Sequence, residues 1–177
     1  MKTVTTTTTV YKFDELSEQG KKYAIQKNYD INVDHGWWEP TYEDAENVEI
    51  LIESFDIDRG DYCQIEIKSS CYDTANLMVK DHGEKCETHI TAYNFIQNWN
   101  NLVRKYSDGI NTMKVTEENE YDFDNEANDL EEEFKKVIAR NYLKILQKEY
   151  EYLTSEEAII ETIEANDYDF TESGDIN

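Results

Sequence analysis

A chain of 177 residues is long enough for one well-buried domain, and its formal net charge of −23 argues against direct nucleic-acid binding, because that affinity comes from Lys and Arg displacing counterions. A hydrophobic content of 38% with thirteen Tyr excludes a fully disordered acidic tail. Three cysteines, Cys63, Cys71 and Cys86, leave one over in any disulfide scheme and read as reduced thiols.

In chain order, the β-branched run "TVTTTTTVYKF" predicts a strand over Val4 to Phe13. "FDELSEQGKKYAIQKNY" predicts a helix capped by Asp14 or Ser17. After a turn-rich link, Pro40 marks a second helix start. Thr41 and Asp44 resemble a capping box, and Ala45, Val48, Ile52 and Phe55 line one face. Trp37 and Trp38, just ahead, suit packing first and a partner contact second. "DYCQIEIKSS" alternates like a half-buried strand, and "ANLMVK" is its expected partner. "THITAYNFIQNWNNLVRKYSDG" predicts a helix stopped by Gly109. The longest helix is expected from about Asn125 to Leu153, acidic first and basic later, as the helix dipole favours. "TSEE", starting at Thr154, predicts a capping box for a last helix, and "DYDFTESGDI" a short terminal strand.

Both ends carry a resemblance. "YKFDELSEQGKKYAIQKNY" with "WWEPTYEDA", and "EYEYLTSEEAIIETIEANDYDFTESGDI" at the other end, resemble the openings and endings of small acidic phage and prophage proteins, some known loosely as antitoxins of toxin–antitoxin stability systems. The similarity covers about the first 50 and last 30 residues. Between them, "ESFDIDRGDYCQIEIKSSCYDTANLMV" stands where that family often has a Gly-rich strand and turn. The resemblance implies a phage or prophage origin.

Metal and catalytic patterns are weak. His82, Cys86 and His89 in "HGEKCETH" have donor types that suit zinc, but no paired C-x-x-C accompanies them. Asp122, Asp124, Glu126 and Glu133 fall at positions 1, 3, 5 and 12 of a calcium loop, yet Ala127 stands where that loop needs Gly. Asp56, Asp58 and Asp61 lack a terminal bidentate Glu. No phosphate-binding Gly-rich loop or nucleophile elbow occurs. The expectation is therefore no enzyme, no cofactor and no dedicated metal.

The charge itself is the strongest signal. Glu117 to Asn177 holds twenty Asp or Glu and five Lys or Arg. Ten of the acids fall between Glu117 and Glu133, a span with no basic residue: Glu117, Glu118, Glu120, Asp122, Asp124, Glu126, Asp129, Glu131, Glu132 and Glu133. A solvated face is the plain reading of such a run. Interleaving with Tyr121, Phe123, Leu130 and Phe134 favours a second one, carboxylates held on a frame in place of phosphates.

The expected fold is a single α+β domain over residues 1–177, a small antiparallel sheet packed with several helices including a long C-terminal one. The expected function is a phage-type inhibitor of a host nucleic-acid-binding defence machine, an anti-CRISPR protein that binds a Cas nuclease or its guide complex through an acidic, DNA-mimicking surface. The alternative is an antitoxin or other acidic module masking a basic toxin. Trp37, Trp38 and Trp99 also allow a homodimer face. The opening "MKTVTTTTTVYKF" lacks a signal peptide's apolar region, and no apolar run approaches the roughly 20 residues of a membrane span, so a cytoplasmic protein is expected.

Overall fold

The computed structural model describes residues 2–3, 9–107, 115 and 119–177. Among them the fold is α+β, with six α-helices and one two-stranded antiparallel sheet. The chain divides into two compact units: Trp38–Gln147, and the two ends, Met1–Trp37 with Lys148–Asn177. No helix among the described residues is long and apolar enough to cross a membrane.

The unit built from the ends holds α1 (Glu18–Lys27) and α6 (Glu156–Ala165). Ser17 caps α1 by accepting the Gly20 amide at 3.1 Å, whereas Asp14 lies in a short 3-10 turn, Phe13–Glu15. Ser155, not Thr154, caps α6, accepting from the Ala158 amide at 3.2 Å. Thr154 is diverted: its hydroxyl donates to the Tyr150 carbonyl of the preceding helix turn at 2.7 Å. Phe13, Leu16, Ala24, Ile159, Ile163 and Phe170 form the core. Val4 to Thr8 of the expected first strand lie outside the described residues. The described part makes one bridge, Tyr11 to Phe170, and Phe170 also bridges Ile176.

Gly174 has φ +93°, and a Cβ there would collide with the Gly20 carbonyl oxygen. Gly174→Ala is therefore expected to destabilise this unit by about 1–3 kcal/mol, from backbone strain before any clash is counted. A thermal melt against the parent chain measures it, and an unchanged midpoint contradicts the close approach.

The central unit runs α2 (Glu39–Asn47), β1 (Ile50–Asp56), β2 (Tyr62–Ile67), α3 (Cys71–Asp81), α4 (Glu87–Tyr106) and α5 (Glu120–Leu153), the last through Gln147. The expected second helix is cut short. It ends at Asn47, Glu49 takes φ +63°, and Ile50 begins a strand. Ile52 and Phe55, three apart, fit a helix period; in the strand they face Ile65 and Cys63 on one side only because the register shifts between Ile52 and Ser54. Ile50 and Ile52 pair with Ile67 and Ile65 across the sheet, which buries β1 on its period-2 face. Thr41 is not a cap but a buried residue inside α2, whose N-cap is Trp38. Trp38 packs edge-on to Phe55 at 6.2 Å.

"ANLMVK" is helix, not strand. Ser70 accepts the Asp73 amide at 3.0 Å and starts α3, and Cys71, Thr74, Ala75 and Met78 then recur at helical spacing on its buried face. The partner of β2 is β1, with a register shift between Ile52 and Ser54. Val48, Ile50, Met78, Phe95, Phe134 and Tyr142 belong to the core that seats α2 to α5 on the sheet. The expected stop of α4 at Gly109 lies outside the described residues. The helix ends at Tyr106.

Candidate functional site

The acidic run is organised by α5. Glu117 and Glu118 lie outside the described residues. Glu120, Asp122, Asp124, Glu126, Asp129, Glu131, Glu132 and Glu133 all lie within this one helix. The helix starts at Glu120, five residues before the expected Asn125. The reason is Phe123, whose ring meets Trp99 at 6.0 Å and Tyr106 at 6.1 Å, both edge-on. That packing against α4 offsets the entropic cost of an earlier helical turn. Tyr121, by contrast, is 78% exposed.

Helix geometry sorts the acids. With 3.6 residues per turn, Asp122, Glu126, Asp129 and Glu133, spaced four, three and four, fall on one exposed stripe. Lys136, Arg140 and Lys144 continue that stripe toward the C-terminus, so its charge changes sign midway. Glu120, Asp124 and Glu131 fall on a second line beside the buried face, and Glu131 is only half exposed. Glu132 stands between the two and pairs with Lys135 at 3.2 Å. Among the described residues Asp122, Asp129 and Glu133 have no ion-pair partner.

Glu126 is tied down. It takes Lys105 Nζ at 2.6 Å and the Tyr106 hydroxyl at 2.8 Å. The Lys105 ammonium first, and the Tyr106 hydroxyl second, hold its carboxyl below the ordinary Glu range. A depressed carboxyl stabilises the fold above its unfolded pKa and loses that contribution as pH falls through the folded one. Lys105→Met is expected to raise the Glu126 midpoint toward the ordinary value, as read by an NMR titration of the side-chain carbonyl. No change would place the pair apart in solution. Sequence spacing gave no hint of this tie, since the partners lie 21 residues apart and on different helices.

The metal patterns do not assemble. The calcium spacing Asp122 to Glu133 is inside a continuous helix, which cannot wrap its carboxylates around one ion as a loop does. Asp56 instead accepts the Asp58 and Arg59 amides at 2.9 and 3.0 Å and shapes the β1–β2 turn. Those bonds hold its carboxyl below the ordinary range. His89 Nδ1 lies 3.0 Å from the His82 carbonyl, so it carries a proton and donates. His82 Nδ1 meets the Thr88 hydroxyl at 2.8 Å, and its Nε2 is buried 3.6 Å from Asp44 Oδ2. Among the described residues no group of three or more His, Cys, Asp or Glu is placed to hold a metal.

The thiols are separated by environment. Burial pushes Cys63 and Cys71 up to about 11, with the Glu131 charge adding to the effect at Cys71. Cys86, at the start of α4, is exposed.

No protein-family profile, curated protein or solved structure matches this chain.

Proposed function

We propose that this chain is a non-enzymatic inhibitor, of phage or prophage origin, that occupies the nucleic-acid cleft of a host defence nuclease, a Cas nuclease or its guide complex. The observation that carries this reading is the exposed stripe of Asp122, Glu126, Asp129 and Glu133 on one ordered helix. At 1.5 Å per residue the stripe spans about 16 Å. One strand of duplex DNA presents about five phosphates over that length, at roughly 3.4 Å each. Glu126 is held by Lys105, and the other three, Asp122, Asp129 and Glu133, meet the Arg and Lys subsites of such a cleft. Being on a packed helix, they need little ordering on binding. A net charge of −23 steers the encounter with any basic surface.

A competition assay tests the reading. Purified protein added to a guide-loaded Cas nuclease is expected to suppress target-DNA binding and cleavage, and the suppression should weaken as salt rises from 0.1 to 0.5 M. DNA binding untouched by an excess of protein, across several nuclease types, rules it out. The resemblance of both chain ends to antitoxin-like phage proteins supports a second reading, masking of a basic toxin. Rescue of cells expressing such a toxin from a neighbouring gene, with no effect on any nuclease, would select it.

A further inference from the structure

The seam between α4 and α5 is tied at its two ends and open in the middle. At one end Lys105 meets Glu126 at 2.6 Å. At the other, Lys144 meets Glu87 at 2.8 Å and the Asn141 amide donates to the Thr91 hydroxyl at 2.9 Å. Between these ties lie two depressions of about 300 and 100 Å³ that share Asn98 and Leu130 as lining residues and so form one groove. Its floor is apolar, made by Leu102, Leu130 and Val137 above the stacked rings of Phe95 and Phe134, whose centroids are 4.3 Å apart. One bank carries Asn98 and Asn101, exposed amides that bond to nothing else among the described residues. The other carries Glu133, with Asp129 one turn before it on the acidic stripe.

A seam that served packing alone would bring side chains together along its whole length. Here Phe95 on Phe134 closes the middle only in depth, and above that contact Leu130 and Val137 stay partly exposed beside unused hydrogen-bonding groups. Starting from the inhibitor reading above, we infer that this groove receives an amphipathic basic helix of the partner protein. Its apolar side chains enter over Leu130 and Val137, and its Lys or Arg side chains reach Asp129 and Glu133. Charge complementarity selects this occupant. The acidic bank repels nucleic acid, and a second copy of so acidic a chain is repelled as a whole. From Thr91 to Lys105 the groove runs about 21 Å along α4, the length of a helix of about 14 residues. Helix-in-groove docking with anchors at i, i+3, i+4 and i+7 is a recurrent recognition mode. The partner is then held through a protein element as well as through phosphate subsites, which explains why the acids are set beside an apolar floor.

The test uses the full chain and a fluorescein-labelled probe peptide, two repeats of Leu-Lys-Lys-Leu-Leu-Lys-Leu, with a scrambled peptide of equal composition as control. Anisotropy is expected to show binding at least tenfold tighter for the amphipathic order. The pair Asn98→Lys with Asn101→Lys, on an exposed bank away from the core, is expected to weaken it at least tenfold. Asn125→Lys with Asn128→Lys adds the same charge on the other side of α5 and should change it less than threefold. Equal binding of both peptides, or equal losses from both pairs of substitutions, overturns the groove, since either means undirected charge attraction. A probe displaced by self-association of the chain in sedimentation also overturns it. The nuclease assay separates the two proposals. Groove-dependent peptide binding without nuclease inhibition sustains the groove and removes the inhibitor reading. Full inhibition by the Asn98→Lys, Asn101→Lys protein does the reverse.

Discussion

Reversing three charges on α5, Asp122→Lys, Asp129→Lys and Glu133→Lys, is expected under the proposed inhibitor reading to cost about a hundredfold in inhibition of the nuclease while the helix stays formed. These three are chosen because they are exposed and have no ion-pair partner among the described residues. Glu126 is left alone, because replacing it would strand Lys105 and Tyr106. An exposed charge pair contributes about 0.2–1 kcal/mol, and reversal converts attraction into comparable repulsion, so three reversals amount to roughly 3 kcal/mol. At 1.4 kcal/mol per factor of ten, that is about a hundredfold. The amide set, Asp122→Asn, Asp129→Asn and Glu133→Gln, removes attraction without adding repulsion and should lose about half of that free energy. Both losses shrink in 0.5 M salt, where the screening length falls to a few ångströms. Circular dichroism checks the helix. Inhibition within twofold of the parent at 0.1 M salt would remove α5 as the contact surface.

The second large effect is in the core that holds α5 in place. Phe134 is 3% exposed and stacked on Phe95, and Ile138 and Tyr142 are fully buried on the next two turns. Phe134→Ala is expected to destabilise the central unit by about 3–5 kcal/mol, from lost transfer energy plus the cavity left behind. Against a typical total of about 5–15 kcal/mol, that brings the unit close to unfolding at 37 °C. Urea unfolding followed by Trp fluorescence reads the change. Tyr121→Ala is the contrast: at 78% exposure it should move stability by less than about 0.5 kcal/mol. A loss below 1 kcal/mol for Phe134→Ala would mean that α5 is not seated on α4 as described. Any loss of inhibition by this variant works through folding, which separates it from the surface variants above.

Some elements were legible because one local signal decided them. α1 has a Ser cap three residues ahead of Gly20, and α4 has a broad apolar face over five turns. β2 alternates strictly, Cys63, Ile65 and Ile67 against polar neighbours. Others carried two periods at once. "VEILIESF" places apolar residues where a helix and a strand both want them, and the choice fell to pairing with β2. "ANLMVK" looks extended by itself, but Ser70 upstream supplies an N-cap and the α3 face then buries Ala75 and Met78. The early start of α5 depended on Phe123 finding Trp99 and Tyr106, partners that no local window contains.

By itself the sequence determined the acidity of this protein and the order of charge along α5. It also determined the α+β class, since apolar periodicity and composition are properties of the chain. Which carboxylates stand free was decided only in three dimensions. Glu126 is neutralised from α4, Glu132 by Lys135, and Glu131 is drawn against the buried face, which leaves Asp122, Asp129 and Glu133 on the stripe and Glu120 and Asp124 on the second line. The groove beside them belongs to neither helix alone. It exists because large rings at Phe95 and Phe134 hold α4 and α5 apart while ion pairs close the seam only at its ends. Spacing along a chain sets which groups share a face. What lies opposite that face is set by long-range packing.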